Sequence, residues 1–337
     1  MSESSKATEQ EIRELAAQYA LGPEVEIRLE SSGMNNTTRF LYAGDQVYVL
    51  RIYDNHKDIA KVQFEHEVML RLGEMKLPFG VPKLVQTESG ATYARSSAGK
   101  LSALFEKAPG TRPSSDTPMH IEAMGKAAGQ LVEALSRVKS SVPSSYLPYY
   151  EIYDVHPLLT RDKLPGAAAL PQVPEVASDT AYLLDEIQRL EESIPGLKSL
   201  PVQIVHSDLV FSNALIYGDY VTILDFEFAT LELRAMELAV LVSELIREEV
   251  SNDVQRSRIM LLFQGYSSSH QLEDREIVAL AALVKLRFLV VYVHFLGRYL
   301  EGLDGADVLV HQIARAAYGC RWFELHNTSW EKLIDQL

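Results

Sequence analysis

The sequence predicts an α+β protein of two lobes, an N-terminal antiparallel-sheet lobe over residues 1–108 and a mainly helical C-terminal lobe over residues 109–337. Three observations lead there. Stretches within 25–53 and 83–106 alternate apolar and polar side chains with a period of two, the mark of strands with one buried face. From Pro109-Gly110-Thr111-Arg112-Pro113 onward the apolar spacing becomes helical, and this Pro/Gly-rich segment marks the change. A chain of 337 residues is long enough for two units that each bury a core.

The elements follow in order. Residues 9–20 have amphipathic helical spacing and stop before Gly22-Pro23. Val25–Ser31 alternates as a strand, and Gly33-Met34-Asn35-Asn36 follows as a loop. Arg39–Ala43 and Gln46–Tyr53 form a hairpin about a tight Gly44-Asp45 turn, which places Arg51 opposite Thr38. Ile59–Leu72 has helical spacing, and Lys83–Gln86, Ala91–Tyr93 and Leu101–Glu106 read as short strands. In the second lobe, helices are expected over roughly 118–138, 176–194, 235–250, 252–268, 272–303 (broken) and 305–320. Two short strands, Ala214–Tyr217 and Tyr220–Asp225, interrupt them, and the Pro-rich stretch 142–174 is an irregular excursion.

Composition narrows the function classes. The net charge of −14 disfavours a nucleic-acid binder, which usually carries a basic excess. Cys320 is the only cysteine, so a disulfide framework or a cysteine metal site is excluded, in keeping with a reducing cytosol. Met1 to Glu11 is polar with no apolar signal core, and the apolar run Phe288 to Leu296 is too short to span a bilayer. A cytoplasmic protein is expected, with no membrane and no nucleic-acid partner.

The strongest chemical signal is His206-Ser207-Asp208-Leu209-Val210-Phe211-Ser212-Asn213, followed by Asp225-Phe226-Glu227. A hairpin turning at Gly218-Asp219 pairs Tyr217 with Tyr220 and puts Asn213 opposite Leu224, one step from Asp225. Cross-strand neighbours lie about 5 Å apart. An amide oxygen and a carboxylate are thereby brought together, both hard ligands suited to Mg²⁺. Asp208 stands on the loop before them. Phosphoryl transfer needs such a set: one carboxylate to receive the acceptor hydroxyl, others to hold the metal that bridges the phosphates. The spacing His-x-Asp-x-x-x-x-Asn matches the end of a protein-kinase catalytic loop, and Asp-Phe-Glu stands where Asp-Phe-Gly would. Each residue alone would be an ordinary loop or cap residue; their order around one hairpin carries the reading. His206 reads as a structural support for the loop.

The first lobe adds weaker pieces. Gly33-Met34-Asn35-Asn36-Thr37 can cover phosphates with backbone N–H groups, or be a plain turn. Arg51 is placed like the strand lysine that contacts phosphates, and Glu67 on the following helix is its expected partner. Glu106 to Ala108 stands where the backbone of a kinase hinge meets adenine. Competing motifs fail. Ala98-Gly99-Lys100-Leu101 is no P-loop, because Ala94 replaces the first glycine and no Ser or Thr follows the lysine. His66-Glu67 lacks the second histidine of a zinc helix, and no Gly-x-Ser-x-Gly occurs.

At these residues the chain resembles the aminoglycoside phosphotransferase superfamily of small-molecule kinases, which share the bilobal protein-kinase-like fold. Gly33-Met34-Asn35-Asn36-Thr37, Asp225-Phe226-Glu227-Phe228-Ala229, Gly265-Tyr266 and Leu286-Arg287-Phe288 look most like type II homoserine kinase and its relatives; choline and ethanolamine kinases are also close. The resemblance implies ATP or GTP as phosphoryl donor with Mg²⁺. It implies Asp208 as catalytic base, Asn213 and Asp225 as metal ligands, and Arg51 with Glu67 organising the triphosphate. It implies as acceptor a small-molecule hydroxyl compound, with amines among the candidates. Three positions depart from the pattern. Arg51 replaces a lysine, Glu237 replaces the usual aspartate and puts the support of the loop in question, and Val132-Glu133-Ala134-Leu135 lacks the histidine common in aminoglycoside kinases. Tyr149, Tyr150, Glu151, Tyr153, Asp154, Glu227 and Glu244 are candidates for the acceptor wall, where carboxylates and aromatics would suit an amine. The competing readings are a non-catalytic kinase-fold protein and a kinase acting on protein Ser/Thr; an antibiotic kinase fits less well.

Overall fold

The structure is a computed structural model that describes residues 6–22, 24–29, 36–54, 56–169, 173–335 and 337. Helix α1 (Glu9–Ala16) opens with a capping box in which Thr8 and Glu11 satisfy each other's backbone N–H groups. Strands β1 (Val25–Leu29), β2 (Asn36–Ala43) and β3 (Gln46–Tyr53) form an antiparallel meander, with Thr38 facing Arg51 as the turn requires. Helix α2 (Ile59–Gly73) is capped by Asp58. Strands β4 (Leu84–Val85), β5 (Ala94–Arg95) and β6 (Leu101–Glu106) complete a six-stranded sheet, in which β6 pairs with β3, β4 and β5. The strand expected at Ala91–Tyr93 lies slightly later, at β5, opposite Ser102 and Leu101.

After Glu106 the chain is mainly helical. Helix α3 (Pro118–Leu135) leads into the excursion, which holds a 3₁₀ turn (Ile152–Asp154) and the short helix α4 (Leu164–Ala168). Helix α5 (Ala177–Leu197) follows, then strands β7 (Val202–Val205), β8 (Ala214–Tyr217), β9 (Tyr220–Ile223) and β10 (Thr230–Leu233). The hairpin β8–β9 has the expected register, Tyr217 against Tyr220. Strand β10, not expected from the sequence, pairs antiparallel with β7. Helices α6 (Met236–Leu245), α7 (Asn252–Ser267), α8 (Asp274–Leu300) and α9 (Ala306–Ile334) close the molecule. No Gly or Pro interrupts 274–296, so α8 is unbroken where a break was expected. It is the one helix among the described residues long and apolar enough to cross a membrane. Here it packs against α5, α6 and α9 and carries Lys285 and Arg287, both ion-paired.

Two backbone ties join the sheet region to the β8–β9 hairpin. Gly80 donates to Val221 O (2.8 Å) and accepts from Ile223 N–H (2.9 Å). Thr111 and Ile216 exchange backbone bonds of 3.1 and 2.8 Å. Between them Gly110 adopts φ +113°, and an added Cβ would stand 2.6 Å from Ile216 O, so only glycine fits. These ties fix the β8–β9 hairpin to the segments that follow α2 and β6.

Candidate active site

The site begins at the turn after β7. Ser207 and Asp225 are the non-glycine residues with left-handed backbone among those described, at φ 68° and 65°. Such conformations cost of order 1–3 kcal/mol each and persist where the surroundings impose them. Here the surroundings are hydrogen bonds. The Glu237 carboxylate accepts from His206 N–H (2.7 Å). The His206 ring packs on Phe226 with centroids 4.6 Å apart, contacts Leu224 O at 2.8 Å and receives Asp208 N–H at 3.3 Å. His206 is therefore a brace for the loop, as its position suggested. Glu237, whose extra methylene raised doubt, still reaches the loop backbone. It is fully buried, which raises its carboxyl above the ordinary range, with His206 pulling the other way.

Asp208 points into the cleft with both oxygens engaged. Arg287 of α8 donates to Oδ1 at 2.6 Å, and the Asn213 amide donates to Oδ2 at 3.0 Å and to the Asp208 carbonyl at 2.9 Å. Burial raises the Asp208 carboxyl above its ordinary value, and Arg287 opposes this. Tyr149 completes the network: its hydroxyl donates to Ser207 O at 2.6 Å and receives a bond from Arg287. Strand β10 holds Tyr149 in place, since the buried Glu232 accepts its backbone N–H.

Arg51 reaches the site from β3. Its Nη2 lies 2.6 Å from Asp225 Oδ1 and its Nη1 donates to Glu65 Oε1 at 3.0 Å. Burial alone would lower the guanidinium, but Asp225 and Glu65 more than offset it and hold the charge firmly. The expected partner of Arg51 was Glu67, and this is corrected. Two residues along a helix rotate the side chain by about 200°, so Glu67 faces away. It accepts from Ser140 Oγ (2.6 Å) and from the backbone of Ser141 and Val142. Glu65 takes the place beside Arg51 and also accepts from Tyr53 (2.8 Å). The signal was present: Val62, Glu65, His66, Met69 and Leu72 form one buried stripe, so a carboxylate at 65 required a partner. Arg287 was also missed as a site residue, though an arginine on a long apolar helix is a comparable signal.

The remaining nucleotide candidates are partly placed. Gly33 and Asn35 lie outside the described residues. Asn36 starts β2, and its amide donates to Glu227 Oε2 at 2.6 Å, so the side chain is turned to the loop after Asp225. Glu106 N–H donates to Lys83 O (2.9 Å), and Lys107 N–H to Val47 O (3.0 Å); Ala108 lies just beyond this last sheet bond.

The donor set fits Mg²⁺. Asn213 spends its amide nitrogen on Asp208, which leaves its amide oxygen for a cation. Leu224 N–H donates to Asn213 O at 2.8 Å, so the partner of Asn213 directly precedes Asp225. One amide and one carboxylate leave the other positions to water and phosphate oxygens, the habit of Mg²⁺.

The homoserine kinase of Methylobacterium nodulans is 25% identical over 282 residues, 81% of each chain. That of Paramagnetospirillum magneticum is 23% identical over 303 residues, 85% of this chain and 86% of the relative. Among solved structures, a microcompartment-associated aminopropanol kinase superposes with TM-score 0.70 at 18% identity, covering 94% of this chain and 96% of that one. The amicoumacin kinase hAmiN, in complex with AMP-PNP, Ca²⁺ and Ami, also gives 0.70, at 16% identity and 92% and 93% coverage. The profile of the APH phosphotransferase enzyme family matches residues 26–275, and the chain belongs to that family.

Proposed function

We propose that this protein is a Mg²⁺-dependent kinase that moves the γ-phosphoryl group of ATP or GTP onto a hydroxyl of a small molecule in the cytoplasm. The observation that carries the reading is the convergence of Asp208, Asn213 and Asp225 on one loop and hairpin, with Arg51 of β3 ion-paired to Asp225. In this reading residues 1–108 hold the nucleotide. Arg51, oriented by Glu65, meets the phosphates, the backbone of Gly33, Asn35 and Asn36 covers them, and the backbone of Glu106 and Ala108 meets the base. Asn213 and Asp225 hold Mg²⁺, which would neutralise charge along the phosphates. Asp208 orients the acceptor hydroxyl. Its oxygen bonds to the γ-phosphorus while the bond to the bridging oxygen breaks, the nucleoside diphosphate keeps that electron pair, and the proton passes late to Asp208.

The relatives named homoserine kinases and the aminopropanol and ethanolamine kinase structures favour a small amino-bearing alcohol over a protein acceptor. A panel of homoserine, choline, ethanolamine and aminoglycosides, read by nucleoside diphosphate release, tests this. Stimulated release with one acceptor, lost in Asp208→Asn, is the expected result. Mg²⁺-nucleotide binding with no stimulation by any of them would favour the non-catalytic reading.

A further inference from the structure

We propose that Tyr149 and Arg287 are positioning residues for Asp208: a closed ring of hydrogen bonds through both fixes the carboxylate that orients the acceptor hydroxyl. The inference rests on the kinase reading above and assigns two further residues to its central step.

The ring can be followed atom by atom. Arg287 Nη2 donates to Asp208 Oδ1 at 2.6 Å, and Nη1 of the same fork donates to the Tyr149 hydroxyl. That hydroxyl donates to Ser207 O at 2.6 Å, and Ser207 is joined to Asp208 by one peptide bond. Arg287 therefore holds the carboxylate, Tyr149 holds the backbone from which it projects, and the two hold each other. A guanidinium suits this place, because its planar fork presents donors to two partners at a fixed spacing. The members come from distant parts of the chain: the irregular excursion, the loop after β7, and α8.

The Ser207 side chain does nothing to hold the turn it occupies. Its backbone is left-handed at φ 68°, a conformation that must be imposed from outside on a residue other than glycine. Its Oγ is buried without a partner among the described residues. Glu237 holds the turn from one end, at His206 N–H (2.7 Å), and Tyr149 holds it from the other, at Ser207 O. Tyr149 is fixed in turn through its backbone N–H, which donates to the buried Glu232 of β10.

The arrangement leaves room for the acceptor. A carboxylate has about four lone-pair sites. Asn213 takes one on Oδ2 and Arg287 one on Oδ1, so a site remains on each oxygen for the incoming hydroxyl. Anchors on both oxygens fix the plane of the carboxylate, whereas Asn213 alone would let it turn about its single bonds. The Tyr149 hydroxyl gives its one proton to Ser207 O, so Tyr149 acts through Asp208 and not on the acceptor. Misplacing a reacting group by about 1 Å can lower a rate by about 100-fold, which sets the scale of the effect.

The test is steady-state kinetics with Mg²⁺-ATP or Mg²⁺-GTP and whichever acceptor of the panel turns over best. Tyr149→Phe removes one oxygen and keeps the ring. It should lower kcat about 10-fold, and Arg287→Met about 10–100-fold, while KM for nucleotide and for acceptor stays within about 2-fold. Arg287→Lys keeps the charge without the fork and should recover part of the loss. The double variant should fall within about 2-fold of Arg287→Met, because a ring broken once has little more to lose. Thermal unfolding of each variant shows that the protein assayed is folded. Should Arg287→Met fail to fold, Tyr149→Phe carries the test. An unchanged kcat in either variant, a raised acceptor KM at constant kcat, or losses that multiply in the double variant would overturn the proposal. The kinase reading fails separately: wild-type protein that turns over no acceptor of the panel would sink that reading, and this assignment with it.

Discussion

A guanidinium shared by two carboxylates makes each of them depend on the other. Arg51 bridges Glu65, which is fully buried, and Asp225. Removing one partner of a buried pair typically costs about 3–5 kcal/mol, so Glu65→Ala should lower the unfolding free energy by about that much. Glu67→Ala removes bonds to Ser140 and to the Ser141 and Val142 backbone at the surface and should cost about 1 kcal/mol. Denaturant titration of the two variants distinguishes them, and equal losses would mean that Glu65 and Glu67 have been assigned the wrong weights. Asp208→Asn keeps size and a hydrogen-bond acceptor but loses charge. It should cut turnover by about 10²–10⁴ while nucleotide affinity holds; a matching loss of affinity would make Asp208 a metal ligand or a structural residue. At this scale the sequence revealed residues whose neighbours are local. Arg51 against Thr38 and Asn213 beside Asp225 follow from hairpin arithmetic. Glu65 and Arg287 escaped because their partners are set by tertiary packing, although both sit on apolar helix faces where an unpaired charge is untenable.

Elements explain two features that residues alone leave open. Gly265-Tyr266 marked the resemblance, and the structure supplies the reason for its glycine. Helices α3 and α7 cross so closely that a Cβ on Gly265 would stand 2.2 Å from Glu122 O, and one on Gly125 equally near Leu262 O. Gly265→Ala should therefore destabilise by about 1–3 kcal/mol despite its better helix propensity; a stabilised variant would show that the crossing is loose. Strand β10 was missed because Thr230–Leu233 is four residues long and, unlike the equally short β8 beside Gly218-Asp219, has no tight turn next to it to declare a hairpin. Yet it anchors the irregular excursion, through Thr230 to Tyr146 O (2.6 Å) and through Glu232 to Tyr149 N–H. Burial pushes the Glu232 carboxyl up to about 7, against the two backbone donors. A carboxyl whose pKa is raised by folding stabilises the fold while protonated. Its contribution is full below the unfolded value and fades as pH rises to about 7. Glu232→Gln should remove that loss, so wild type should weaken relative to the variant between pH 5 and pH 8. Parallel stability curves across that range would contradict the assignment.

The whole molecule is held together across its cleft by contacts between distant parts of the chain. Asn36 and Glu227 are 191 positions apart, and Arg51 joins Asp225 across a comparable distance. The division into a sheet region and a helical region was legible because period two and period 3.6 differ in kind. These cross-cleft ties were not, because nothing in local patterning reports which loop meets which strand. They shape the response to a ligand. In the proposed reading a nucleotide between sheet and hairpin would contact both sides of the same cleft, and a ligand that binds the native state alone stabilises it by about 2.7 kcal/mol at one hundred times its dissociation constant. Mg²⁺-ATP or Mg²⁺-GTP should therefore raise the melting temperature, and Mg²⁺ should be needed for the full shift. Asp225→Ala removes the proposed charged metal ligand and should abolish the Mg²⁺-dependent part. It also frees Arg51, so each variant is measured with nucleotide alone and with added Mg²⁺. Asn213→Ala removes the proposed neutral ligand and should reduce that part without abolishing it. If Asp225→Ala kept the full Mg²⁺-dependent shift, the metal would lie elsewhere, and the Arg51–Asp225 pair would be a structural tie between the two sides of the cleft.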